Sequence, residues 1–84
     1  MATHKIMAIL INKRTNEAPD VQEVLTEYGC IIKARIGLHE TDTCSEEGLI
    51  ILKLKGDIED IKNLKENLNS ITGVKVKKIE LGFE

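Results

Sequence analysis

Two ten-residue segments, EYGCIIKARI at 27–36 and SITGVKVKKI at 70–79, follow one pattern. Each leaves a helical stretch, passes a glycine and enters a strand that mixes aliphatic and basic residues. A chain that does this twice within 84 residues is confined to a doubled strand–helix–strand plan. The rest of the sequence fits that plan. Ile6 to Ile11 is an unbroken apolar run of the kind found in a central strand. Pro19 suits the first turn of a helix, and Val21, Val24, Leu25 and Tyr28 then mark one helical face, with Gly29 at the C-cap position. Ile31 to Leu38 alternates as a second strand, and Leu49 to Lys55 reads as a third. Asp57 is a suitable N-cap, and Ile58, Ile61, Leu64, Leu68 and Ile71 form the core face of a second helix. Gly73 ends it, and Val74 to Leu81 is the last strand.

The order is strand, helix, strand, strand, helix, strand. It predicts an α+β, ferredoxin-like βαββαβ domain over residues 1–84, a four-stranded antiparallel sheet in the order 4-1-3-2 with two helices on one face. The other face of such a sheet is open. Alternation assigns Ile6, Ala8 and Leu10, then Ile32, Ala34 and Ile36, with Ile50, Leu52, Leu54, Val74 and Val76, to the helix side. Met7, Ile9, Ile11 and Ile51 are then outward on the two central strands, surrounded by Lys33, Arg35, Lys53, Lys55, Lys75 and Lys77. Four aliphatics on adjacent central strands make a patch, and patches of that kind mark interfaces. The sequence thus names Met7, Ile9, Ile11 and Ile51 as a candidate self-association surface for a homodimer or tetramer.

Several classes of function lack their residues. With no Trp, one Tyr and one Phe, the sheet has no aromatic platform for stacking bases, and a net charge of −2 gives no global attraction to nucleic acid or membrane. The longest apolar run is too short to span a bilayer, no cleavable leader is expected from Met1–Lys5, which precedes a short apolar run without a small-residue cleavage site, and two cysteines do not make a disulfide scaffold. A cytoplasmic protein is expected. No glycine-rich phosphate loop, serine elbow or H-E-x-x-H is present, so no catalytic residue is assigned and a non-enzyme without a cofactor is expected. His39 and Cys44, with Glu40 and Asp42, gather metal-competent side chains in the loop between strands two and three, but in no known ligand spacing. They remain weak metal or redox candidates. The turn from strand one into helix one offers Asn12, Arg14 and Asn16 to a small anionic ligand, and Arg35 is a further candidate from the basic group.

The pattern INKR…VQEVLTEYGCIIKARIGLH…GLIILKLKGDIEDIKNLKENLNSITGVKVKKIEL resembles the small ACT-like family of iron-only hydrogenase system regulators. The most specific pieces are Asn12 and Arg14, Val21-Gln22, Leu25 through Tyr28-Gly29, Arg35-Ile36-Gly37 and Gly73-Val74-Lys75-Val76. The resemblance implies an ACT-like fold, self-association and a regulatory role in a hydrogenase system. ACT domains bind amino acids at a subunit interface through the turn after strand one. The glycine usual there is absent from Asn12-Lys13-Arg14-Thr15-Asn16. The expected function is therefore a dimeric regulatory or ligand-sensing protein, with a small anion or amino acid, or a protein partner, as what it senses. A metal- or redox-responsive protein using His39 and Cys44, or a purely structural assembly subunit, are the alternatives.

Overall fold

The computed structural model describes residues 3–12, 14–38 and 47–83, and the side chains of these residues except 14–18. Strand β1 runs Thr3–Ile11, helix α1 Arg14–Glu27, a 3-10 turn Gly29–Ile31, β2 Ile32–Leu38, β3 Gly48–Leu54, α2 Ile58–Asn69 and β4 Val74–Gly82. The sheet order is β2-β3-β1-β4, with every neighbouring pair antiparallel. This is the expected βαββαβ plan, with β1 and β3 central.

The core forms where the apolar stripes of both helices meet the inner face of the sheet. Val21 and Leu25 from α1, and Ile61, Leu64 and Leu68 from α2, are buried against Met7, Ile9, Ile11, Ile50, Leu52, Leu54, Val74 and Val76. Val24, Tyr28 and Ile71 pack half-buried at its margin. Above that core, Asn67 Nδ2 donates to the Tyr28 hydroxyl at 2.6 Å and ties one helix to the other. Ile58, expected in the core face of α2, is 70% exposed. It is the first residue of the helix and precedes the turn that reaches the sheet. Asp57 sits at the N-cap as expected, and its carbonyl accepts the Ile61 N–H at 3.1 Å, but its side chain makes no capping bond. Helix α1 begins five residues before Pro19, which lies inside it. The polar run before Pro19 has no apolar period, so nothing in the pattern marks that first turn.

Two strands present the opposite faces from those expected. On β1, Met7, Ile9 and Ile11 are buried beneath the helices, while Ile6, Ala8 and Leu10 lie on the open face. The candidate interface set is corrected accordingly: Met7, Ile9 and Ile11 have no more than 1% of their surface exposed and form core. An all-apolar strand carries no alternation to label its faces, and a one-residue slip exchanges every side chain. On β2 the cause is a bulge. Ile32 pairs with Leu54 and Ala34 with Lys53, so Lys33 is an extra residue with no partner of its own. After it, Ala34, Ile36 and Leu38 lie on the open face, and Arg35 and Gly37 on the helix side.

Two glycines are required by their surroundings. Gly73, with φ 84°, makes the left-handed turn into β4, and its carbonyl accepts the Asn12 N–H at 2.8 Å. At Gly56 a Cβ would come within 2.8 Å of Ile31 Cγ2. No helix among the described residues is long and apolar enough to cross a membrane.

Candidate functional site

The strand register orders the open face into cross-strand rows. Reading β2-β3-β1-β4, the first row is Leu38, Leu49, Leu10 and Lys75, and the second Ile36, Ile51, Ala8 and Lys77. The third is Ala34, Lys53, Ile6 and Ile79, and below it His4 stands beside Leu81. Among the described residues, five of the seven large apolar side chains most open to solvent occupy this face. Ile36 is 58% exposed, Leu38 49%, Leu10 40%, Ile79 47% and Leu81 57%. Half-buried Leu49, Ile51, Ile6 and Ala8 fill the space between them, so the exposed aliphatics form one continuous field. Sheets open on one side ordinarily alternate polar residues outward; this one does not. The charged side chains that the register places here are Lys53, Lys75 and Lys77, with no carboxylate among them.

Of the residues expected to form the interface, only Ile51 lies in this field. Sequence reasoning missed Leu10, Ile36, Leu38, Ile79 and Leu81. The signal for the last two was present, since Lys75, Lys77, Ile79 and Leu81 alternate along β4. The expected basic surround is also redistributed. Lys53, Lys75 and Lys77 hold their outward places, whereas the bulge turns Arg35 toward α1. There its Nη2 donates to Gln22 Oε1 at 2.7 Å.

A shallow groove of about 430 Å³ lies between the last turns of α1 and the first half of β2. Leu25, Ile32 and Ala34 give it apolar walls; Thr26, Lys33 and Arg35 are its polar and cationic lining. Two cations over an aliphatic floor suit a small carboxylate or another compact anion. The other expected ligand groups are not brought here. Asn12 lies beyond the Ile11 end of β1, whereas Arg35 is level with Met7 through Leu52. Five residues along a strand separate the two levels by about 17 Å. Arg14 is within α1, and its side chain and that of Asn16 lie outside the described ones. His39 and Cys44 also lie outside the described residues. Among the described residues no three His, Cys, Asp or Glu side chains are grouped to hold a metal ion.

Comparison with known proteins agrees with this architecture. The model of the TM1266-like family, iron-only hydrogenase system regulators, matches residues 4–78. The solved structure of the uncharacterized protein TM1266 from Thermotoga maritima is 28% identical and superposes with a TM-score of 0.85, covering 96% of this chain and 100% of that one. The ACT domain of a GTP pyrophosphokinase from Chlorobium tepidum is 13% identical, with a TM-score of 0.69 over 94% of this chain and 89% of that one. CPII, a nitrogen regulatory PII-like protein from Thiomonas intermedia K12 bound to ADP, AMP and bicarbonate, is 17% identical, with a TM-score of 0.60 over 98% and 93%. At such identities the last two are alike in fold. No curated protein matches the chain.

Proposed function

The chain belongs to the TM1266-like family of iron-only hydrogenase system regulators, and we propose that it acts there as a self-associating, ligand-responsive subunit without catalytic chemistry of its own. The observation that carries this reading is the aliphatic field on the open face of the sheet. A monomer gains nothing from leaving so many branched side chains in water, whereas an assembling subunit recovers their burial on association, at about 25 cal/mol per Å² before the costs of binding. Light scattering on the wild-type protein tests it. A dimer or tetramer at micromolar concentration is expected, and Ile51→Asp combined with Ile36→Asp is expected to give a folded monomer. A wild type that stays monomeric at hundreds of micromolar defeats the reading.

The responsive part of the proposal is favoured by the groove beside β2, where Arg35 and Lys33 stand over an aliphatic floor. Its ligand is a small anion, a free amino acid or other carboxylate included. Glycine, leucine, acetate and inorganic phosphate are suitable probes in a thermal-shift series, because a ligand that binds only the folded state raises the melting temperature by mass action. Arg35→Ala is expected to abolish the shift produced by whichever probe binds. A shift unchanged by Arg35→Ala would move the ligand site away from the groove.

A further inference from the structure

We propose that the open face is covered by the same face of a second copy, with the two-fold axis lying in the interface, parallel to the strands and between β1 and β3. The proposal rests on the self-association argued above and specifies its symmetry and register. Four strands about 4.8 Å apart, and rows about 6.8 Å apart, give the face roughly 500 Å² per copy, so a face-to-face pair reaches the ~1,000 Å² that specific interfaces need.

The charge pattern selects the axis. Every charged side chain that the register puts on this face is a lysine, so the contact must keep lysines off lysines. An axis parallel to the strands lays β2 over the partner's β4, and β3 over the partner's β1, with the rows level. Ile51 then faces the partner's Ala8, large against small, and Leu49 faces the partner's Leu10. Lys77 on the edge lies over the partner's Ile36, and Lys53 over the partner's Ile6. Each lysine lays its methylene stem on an aliphatic and carries its ammonium to the rim. The twist of the two sheets turns the strand sets by about 30° without changing which strand lies over which. An axis across the strands through the second row fails the same check: it stacks Lys77 on the partner's Lys77, and Ala8 on the partner's Ala8, joining a repulsion to a void. Moved between the second and third rows it keeps lysines apart, but it lays Lys53 on the central Ile51 and leaves Leu38 and Leu49 with no aliphatic opposite.

Two single substitutions distinguish the registers. Ile36→Glu places a carboxylate opposite the partner's Lys77 and keeps the dimer, now with strong salt dependence. Ile51→Glu places one opposite the partner's Ala8, at the centre of the contact and away from its lysine-bearing edge, and weakens the dimer at least about a hundredfold. Adding Lys77→Glu to Ile36→Glu removes the compensation and yields monomer. Circular dichroism shows whether each variant is folded, which all should be, since both sites are on the surface of one copy. Sedimentation equilibrium then gives the dissociation constants. If the wild type is dimeric but Ile36→Glu disrupts it as fully as Ile51→Glu, the register is overturned while self-association stands. A wild type that is monomeric and sediments with phosphatidylserine vesicles would assign the face to an anionic lipid surface, and would overturn both.

Discussion

Gly56 and Ile31 approach so closely that one methyl group decides whether they coexist. A Cβ at Gly56 would meet Ile31 Cγ2 at 2.8 Å and Ile31 Cβ at 3.2 Å, and a branched side chain at its own Cβ cannot swing aside. Gly56→Ala is therefore expected to lower stability by about 1–3 kcal/mol, as forced overpacking does, read as the midpoint of urea unfolding. Ile9, fully buried at the centre of the sheet, is the contrasting case. Ile9→Ala should cost about 2–5 kcal/mol through lost contacts and the cavity left behind. Ile9→Asp should leave no folded monomer, because an unpaired carboxylate would sit in the core. At this scale the sequence was partly legible. The helix residues Val21, Leu25, Ile61, Leu64 and Leu68 declared their burial through a 3.6-residue period. Gly56 did not, because the contact that requires it comes from a segment 25 positions away in the chain.

The two helices are joined above the core by a bond that the sequence pattern does not predict. Asn67 Nδ2 donates to the Tyr28 hydroxyl at an exposed position, where a hydrogen bond is worth about 0.5–1.5 kcal/mol. Tyr28→Phe should lower the unfolding free energy by that amount, read from urea denaturation, while leaving the half-buried ring in place, and Asn67→Ala should add little to it in a double-mutant cycle. The strands show why element order was readable and face assignment was not. Gly, Pro and turn residues punctuate the chain clearly enough to count its elements. Which side of a strand is inside depends on period two, and β1 is apolar at every position from Ile6 to Ile11. On β3, where Lys53 interrupts the run, the expected parity of Ile50, Ile51 and Leu52 is the observed one. On β2 the alternation was present but crosses a bulge, and no local residue type at Lys33 announces an insertion. The candidate site followed the strands: Ile51 lies on the open face as expected, while Leu10, Ala34 and Ile36 were assigned to the wrong side.

At the scale of the whole molecule, charge is unevenly divided, although α2 also carries Lys62 and Lys65, and β4 carries Glu80. Asp20, Glu23, Glu27, Glu59, Asp60 and Glu66 belong to the helices, while the open sheet face bears lysines and no carboxylate at its paired positions. Association through the aliphatic field therefore leaves the acidic helix layers of both copies outward. A wild-type dimer held by apolar contact should change its dissociation constant by less than about threefold between 50 mM and 500 mM salt, since rim charges are screened while buried aliphatics are not. A steep dependence would mean that charge pairs hold the assembly. The sign of that slope separates attraction from relieved repulsion between lysines.

The extra residue in β2 has a further consequence. Because Lys33 takes a place on the strand without taking a partner across it, everything after it changes sides, and Arg35 faces α1 while Ile36 faces out. The bulge thus acts as a selector that sends a guanidinium to the groove and an isoleucine to the exterior. A strand of the same length paired without the bulge would present the reverse, with the cation outward and the aliphatic beneath the helix. Assembly and ligand recognition are set together by one irregularity in one strand, and deletion of Lys33, which joins Ile32 to Ala34 in regular alternation, should leave both faces as they are.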